Sequence, residues 1–319
     1  MSQCDATIIV LNWNGQRFLK DCFDSIKKQT YPRDKYEVML VDNASIDDSV
    51  EFVGKHYPDV VIVQSPTNTG FSGGMNLGMR HSKGDYMILL NNDTILDPRW
   101  LEEMMKIAHT KKAGAVTSKL MFLKKKGIIN NAGSMLQYDK TWPIVERGIN
   151  EKDIGQYDRV EEITAFCGAS VALQRAMIKK IGLLDETFRA YFEDTDLSWR
   201  GQKAGYKYYF VPESVLYHVH TGTNVEGSPR FTFYVSRNRV LVMFKNGKLS
   251  LAILAYGAMV RDRVLATTKR LGAAIIRRQD RRKKLIEFTT GLKTWVSTTL
   301  LIPVMLLKRW HLVGEKKLS

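Results

Sequence analysis

Between residues 7 and 90, uninterrupted apolar runs alternate with segments of helical spacing, and this alternation constrains the fold more than any other property of the chain. Residues 7–11 (TIIVL) are β-branched and unbroken, the mark of a strand covered on both faces. Over residues 16–28 the spacing of Leu19, Phe23 and Ile26 predicts a helix. The same pair then recurs: strand 38–41, helix 47–55, strand 60–63, helix 73–81 and strand 86–90. Such a series predicts an α/β protein with a mostly parallel, doubly wound, Rossmann-like sheet and helices on both faces. In sheets of that kind ligands sit at the carboxyl ends of the strands.

Those ends are polar in all four cases. They read Asn12-Trp13-Asn14-Gly15, Asp42-Asn43-Ala44-Ser45, Asn68-Thr69-Gly70-Phe71 and Asn91-Asn92-Asp93-Thr94. One such end is ordinary turn chemistry, since Asn and Asp begin turns and cap helices; four on one edge of a sheet suggest a binding site. Asp93 can hold a divalent cation that bridges phosphates, and a histidine can complete its shell. Asp42 can accept a hydrogen bond from a base or ribose, while Gly70, Gly73, Gly74 and Gly78 leave room for phosphate at backbone amides. The glycines do not fit the G-x-G-x-x-G spacing of a dinucleotide site, and no Walker A loop, G-x-S-x-G elbow or H-E-x-x-H is present.

Residues 160–173 are again strand-like, a helix follows through residue 180, and another helix is expected over 194–204. That last helix opens with Glu193-Asp194-Thr195-Asp196, three carboxylates in four residues. Crowded carboxylates raise one another's pKa unless something offsets them, so the tetrad is a candidate for acid/base or metal work. Its bland reading is a solvated helix start, with Asp196 pairing Arg200 one turn on. Beyond an expected strand at 206–211, His218 and His220 are separated by one residue and would point the same way from an extended segment.

In order and spacing, the motifs IIVLNWNG (8–15), VDNAS (41–45), NTGF (68–71) with GMNLG (74–78), LNNDT (90–94), GLLDE (182–186), EDTDL (193–197) and SRNR (236–239) resemble the family 2 glycosyltransferases with the GT-A fold, closest to a rhamnosyltransferase-like branch. The resemblance covers residues 6–246. It implies a donor site in which Asp42 contacts the nucleotide base with Asn14 and Asp47 nearby, and adds Asn68, Gly70, Gly74, Asn76 and Asn92 to the nucleotide-sugar contacts. Asp93 falls where the family's last metal-binding aspartate stands, with Asn91 in place of the first acid of a D-x-D motif. Mg2+ or Mn2+ would then be held by Asp93 and a histidine, His218 fitting better than His220. Asp194 matches the family's catalytic base, with Glu193 the second candidate. Met75 replaces an arginine found in some relatives.

The implied activity is inverting transfer of a sugar from a dTDP- or UDP-sugar to a glycan or lipid-linked acceptor in cell-surface polysaccharide synthesis. A sugar nucleotidyltransferase, or a non-catalytic nucleotide-sugar-binding protein, are the competing readings. The first leaves the E-D motif and the basic tail unexplained, and the second the full set of Asp42, Asp93 and Asp194.

The formal charge of +15 suggests a nucleic-acid partner until it is located. Residues 246–319 hold 16 Lys/Arg against 4 Asp/Glu, whereas residues 1–245 are nearly balanced. The expected organisation is therefore a catalytic domain over 1–245 and a basic, amphipathic helical tail over 246–319. Two uncharged stretches, 249–260 and 294–307, fall short of a membrane span, and Pro303 interrupts the second. Leu285, Phe288, Leu292, Trp295, Thr299 and Ile302 form a stripe after a cluster that includes Arg277, Arg278 and Arg281, which reads as an interfacial membrane helix or an oligomer contact. The cluster has no interleaved aromatics, which disfavours RNA. Three cysteines without C-x-x-C spacing, and a short first apolar run with no basic segment before it, lead to the expectation of a cytoplasmic protein peripheral on the inner membrane face.

Overall fold

The structure, a computed structural model, describes residues 4–219, 227–274 and 281–314. Twelve strands and nine α-helices follow in chain order. The first part runs β1 (Ala6–Asn12), α1 (Gln16–Lys27), β2 (Tyr36–Asp42), α2 (Ser49–His56), β3 (Val61–Gln64), α3 (Gly70–His81), β4 (Tyr86–Asn91), β5 (Thr94–Leu96), α4 (Trp100–Thr110) and β6 (Ala115–Phe122). The second runs β7 (Ile129–Asn131), β8 (Ser134–Leu136), β9 (Ile144–Glu146), β10 (Glu161–Ile163), β11 (Ser170–Gln174), α5 (Arg175–Ile181), α6 (Glu193–Lys203) and β12 (Tyr208–His218). Three helices close the chain: α7 (Pro229–Asn246), α8 (Leu249–Ala274) and α9 (Arg281–Gly314).

Two compact units result, one of Met1–Leu136 with Ile144–Gly222, the other of Gln137–Pro143 with Thr223–Ser319. In the first, the main sheet has the order β10-β12-β6-β11-β4-β1-β2-β3. β3, β2, β1 and β4 form a parallel block, and the direction of chain progress reverses at β1, the switch point at which such sheets place ligands. Register sets the ends level: Asn12 lies opposite Asp42, and Leu11 opposite Asn91.

The strands are apolar throughout because both faces are covered. Ile8, Val10 and Leu40 pack under Leu19, Phe23 and Ile26 of α1 and Trp100 of α4. Their alternates Ile9, Met39 and Val41 pack under Met75 and Met79 of α3 and Leu197 of α6.

The strand-like stretch 160–173 is two strands, not one. β10 and β11 are separated by residues 164–169, and β11 enters the sheet antiparallel to β4 and β6. The strand expected at 206–211 continues to His218, because a register shift between Val211 and Val215 absorbs Pro212, which cannot donate to a ladder.

In the second unit, Ser228 caps α7 by accepting a hydrogen bond from Phe231 N (3.2 Å), with Pro229 in the first turn. Pro303 does not end its segment. α9 runs through it for 34 residues, and the stretch Phe288–Arg309 is long and apolar enough to cross a membrane by length and composition, where the uncharged run alone is too short.

Candidate active site

The strand ends of the parallel block are joined by side-chain hydrogen bonds. Asn92 Nδ2 donates to Asn12 Oδ1 (2.7 Å), and Asn12 Nδ2 donates to Asp42 Oδ1 (3.3 Å) and Ser45 Oγ (3.2 Å). Ser45 N donates to Asp42 Oδ2 (3.0 Å), and Asn14 N to Ser45 Oγ (2.9 Å). Gly15 lies so close to this chain that a Cβ there would stand 2.2 Å from Asn92 Nδ2. Asp47 is part of the same support, since its carboxylate accepts from Gln16 N and from Ser49 N and Oγ. Asn14 Oδ1 accepts from Ile46 N (2.8 Å). The structure thus brings Asn14, Asp42, Asp47 and Asn92 to one edge.

Asn76 is engaged within the fold. Its Nδ2 donates to Leu184 O and Glu186 Oε1 (both 2.9 Å), and its Oδ1 accepts from Leu184 N (3.0 Å). An amide so fully engaged holds the 182–186 segment and has no donor left for a ligand. The glycines of α3 are likewise spent on packing. A Cβ on Gly74 would meet Leu11 Cδ1 at 2.4 Å, and one on Gly78 would meet Ile9 Cγ2 at 2.4 Å, so both let α3 lie close on β1 and β2. Gly70 (φ +77°) sits against the Arg189 main chain, Ser72 N donates to Arg189 O (3.1 Å), and Gly70 N donates to Asn68 Oδ1 (2.9 Å). The first turn of α3 is therefore covered by the 188–190 turn, and the amides of Gly70 and Ser72 are hydrogen-bonded within the protein. Asn68 belongs to the same lock, its carbonyl accepting from Arg189 Nη2 (2.7 Å).

At the end of β4, residues far apart in sequence meet. His218 Nε2 lies 3.1 Å from Asp93 Oδ1 and 3.4 Å from Asn91 Nδ2, while its Nδ1 lies 3.0 Å from Asn130 Oδ1. An amide oxygen accepts, so Asn130 Oδ1 takes the Nδ1–H of His218 and leaves Nε2 as the ring nitrogen that faces Asp93. One hard carboxylate oxygen and one imidazole nitrogen, braced by a second-sphere amide, is a donor pair that suits Mg2+ or Mn2+. Among the described residues no group of three His, Cys, Asp or Glu could hold a metal. Two protein donors still fit an ion that keeps waters and takes substrate phosphates as its other ligands. His220 lies outside the described residues.

The acidic tetrad opens α6 from a strained turn. Arg189, Tyr191 and Phe192 have φ of 64°, 67° and 69°, and with Asn14 (50°) and Ala44 (62°) they place five left-handed non-glycine residues around the strand ends. Such strain collects where a structure over-determines a functional geometry. Asp194 Oδ2 accepts from Gly168 N (3.0 Å), and Oδ1 accepts from Thr195 N (2.7 Å) and Oγ1 (3.3 Å). One residue on, Ala169 O accepts from Asn91 N (3.0 Å), so two hydrogen bonds tie Asp194 to the end of β4. Burial pushes its carboxyl pKa up in spite of these donors.

Glu193 is more extreme. It is buried, its Oε2 has no partner, and desolvation followed by the charge of Asp194 pushes its pKa well up. Both carboxyls are thus pushed up, Glu193 by burial and the neighbouring Asp194 charge with no hydrogen bond to its Oε2, Asp194 by burial against three hydrogen bonds that lower it. Asp196, fully buried, accepts from Arg200 Nε (2.9 Å); the same guanidinium donates to the carbonyls of Ile181, Gly182 and Leu183. Three adjacent carboxylates thus have three different environments.

Sequence reasoning did not reach Asn43, Asn130 or Arg189. Asn43 clamps Thr69 and Gly70 to the end of β2, and it was visible only as one Asn in a polar run. Asn130 comes from the uninterpreted stretch after β6, where a repeated Asn pair beside Ile129 was the only signal.

A family model described as "Glycosyl transferase family 2" matches residues 7–182. Among curated proteins, the chain is 25% identical over 126 residues to the poly(ribitol-phosphate) beta-glucosyltransferase of Bacillus spizizenii, covering 38% of this chain and 20% of that one. It is 25% identical over 240 residues to the O-antigen biosynthesis protein RfbC of Myxococcus xanthus, covering 72% of this chain and 18% of that one. The chain thus spans about a fifth of the length of these two relatives. Among solved structures, it superposes on the mannosyltransferase PcManGT from Pyrobaculum calidifontis, in complex with GDP-Man and Mn2+, with a TM-score of 0.56 at 18% identity, covering 92% of this chain and 86% of that one.

Proposed function

This chain belongs to glycosyl transferase family 2 and has the GT-A fold, and on that premise we propose that it moves a sugar from a nucleotide-sugar donor to a hydroxyl of a glycan or lipid-linked acceptor, with inversion. The observation that carries the reading is the meeting of Asp93 and His218, 125 residues apart in sequence, beside the linked ends of β1 and β2. The pair lies at the ends of β4 and β12, on the edge where such sheets bind ligands, which supports placing the departing diphosphate beside it. The relatives in polymer and O-antigen synthesis support a cell-surface polysaccharide as the acceptor class. In this reading residues 1–245 are the catalytic part and residues 246–319 its tail.

Each residue then has a task. Asp42 accepts from the base or ribose, held in place by Ser45 and Asn12. Asn92, hydrogen-bonded to Asn12, and Asn14, hydrogen-bonded to Ser45 and Ile46, brace the ends of β1, β2 and β4 that line the donor site. A divalent cation of the Mg2+ or Mn2+ type, when held by Asp93 and His218, supplies positive charge to the departing nucleoside diphosphate. Asp194, as general base, takes the proton of the acceptor hydroxyl, which is a poor nucleophile without it. Burial makes Asp194 a stronger base than an exposed aspartate, and the backbone donors from Gly168 and Thr195 fix where its oxygens stand. Burial and the Asp194 charge push the Glu193 carboxyl up, which disfavours a second negative charge beside Asp194. A single displacement on the face opposite the diphosphate inverts the anomeric centre. The donor is a dTDP- or UDP-sugar, with dTDP-rhamnose the one favoured by the motif resemblance.

The donor site is tested by thermal shift with UDP-, dTDP- and GDP-sugars, with and without Mn2+. One nucleotide class should stabilise the protein by about 3 °C or more at saturating concentration, more so with Mn2+. Asp93→Ala should remove the Mn2+-dependent part. If no donor stabilises the wild type, or Asp93→Ala leaves the Mn2+ effect intact, the site is assigned wrongly.

A further inference from the structure

Two helices of the second unit, α8 and α9, expose large apolar side chains, whereas α7 buries Val240, Leu241 and Met243. On α9 the buried positions include Thr294, Thr298 and Met305, while Phe288, Leu292, Trp295, Leu300 and Leu307 are exposed. The two threonine hydroxyls are satisfied by carbonyls one turn back, Thr294 Oγ1 donating to Thr290 O (2.7 Å) and Thr298 Oγ1 to Thr294 O (2.6 Å). α8 shows the same inversion, with Ala252, Ala255 and Met259 buried and Leu249, Ile253 and Leu254 exposed. Leu300 is 70% exposed, Leu307 65% and Leu254 60%. A water-facing helix pair has the reverse arrangement, large apolar side chains in and polar ones out.

The two stripes are held in one register. Tyr256 and Thr299 share a hydrogen bond of 2.8 Å between their hydroxyls, and Trp295 Nε1 donates to Tyr256 Oη (3.0 Å). In sequence, α9 opens on Arg281-Arg282-Lys283-Lys284, and Lys248 and Lys293 are exposed. Length and composition would let α9 cross a bilayer, since its 22-residue stretch extends about 33 Å. Packing opposes this. α9 lies along α7, a helix with buried Arg237 and Lys245, and near its end Arg309 Nη1 donates to Phe244 O and Gly247 O. A helix fastened along one side to a polar neighbour can bury only its free side in lipid.

We propose that α8 and α9 form a monotopic anchor that lays this outward apolar face into an anionic lipid surface, with the basic first turn of α9 among the head groups. Lipid is favoured over a second copy because residues 246–319 carry 16 Lys/Arg against 4 Asp/Glu, so that two copies of this segment repel each other and an anionic surface attracts it. The anchor rests on the reading above only for its purpose, which is to hold the enzyme at the surface where a lipid-linked acceptor is found.

The full chain is sedimented with vesicles of phosphatidylcholine alone and of phosphatidylcholine with phosphatidylglycerol. The wild type should pellet with the anionic vesicles only, and partition should fall severalfold when salt rises from about 0.1 M to about 0.5 M. Leu300→Glu with Leu307→Glu should reduce partition by about tenfold or more. Circular dichroism and the donor-dependent thermal shift of that variant should match the wild type, which separates loss of the anchor from loss of the donor site. If the double variant does not fold, quenching of wild-type tryptophan fluorescence by brominated lipid, abolished in Trp295→Phe, replaces it. Absence of binding to anionic vesicles would overturn the proposal. So would a wild-type dimer in solution by light scattering that becomes monomeric in the double variant, which would assign the face to a second copy.

Discussion

At the scale of single residues, the acidic tetrad shows how position along one helix turn separates chemically similar groups. Asp196 is neutralised by Arg200 and holds the 181–183 segment; Asp194 is ringed by backbone donors; Glu193 has a buried oxygen with no partner. A carboxyl whose folded pKa is raised keeps its proton where the unfolded chain has lost it, so it costs stability above the unfolded value and the cost disappears as pH falls toward it. Glu193→Gln should therefore stabilise the protein at pH 7, by on the order of 1 kcal/mol. The advantage should vanish near pH 4.5, the ordinary value of a glutamate. Thermal melting of both proteins across that range checks this; an advantage that grows on acidification would mean that Glu193 is ionised in the fold. Much of the tetrad was legible in the sequence, because an i,i+4 Asp–Arg pair and a helix start are local. The lone oxygen of Glu193 was not, since burial depends on what the rest of the chain lays over it.

At the scale of elements, glycine divides into two kinds. Gly78 sits where α3 meets the sheet, and a Cβ there would come within 2.4 Å of Ile9 Cγ2 and 2.8 Å of Val41 Cγ2. Gly257, in α8, has nothing within 4 Å. Gly78→Ala should cost about 1–3 kcal/mol through overpacking, whereas Gly257→Ala should contribute about 0.5–1 kcal/mol through helix propensity. Chemical denaturation measures both, and a stabilised Gly78→Ala would show that α3 does not lie on β1 and β2 as described. The parallel block itself was readable, since strands covered on both faces are continuous in apolar residues. What those α3 glycines face was not readable, because a glycine that admits phosphate and one that admits a strand look alike. β11 escaped for a related reason: nothing local marks a strand as antiparallel, and the break at residues 164–169 serves the contact of Gly168 with Asp194.

At the scale of the whole molecule, the linked strand ends belong to one unit and the outward-facing apolar helices to the other, so the proposed catalysis and the proposed anchoring can be tested by separate variants. Charge partition was legible from the sequence, as was the stripe on α9. Asn130, which orients His218, was hidden in a stretch without periodicity, because a tertiary hydrogen bond leaves no pattern in the chain. The central claim is that Asp194 takes a proton from the nucleophile while the strand ends hold the donor. The most direct test is release of nucleoside diphosphate from the nucleotide-sugar that stabilises the protein, with water standing in as the acceptor hydroxyl. Asp194→Asn should slow that release by about 10²–10⁴-fold and leave the donor dissociation constant unchanged. Release by Asp194→Asn at the wild-type rate would contradict the account.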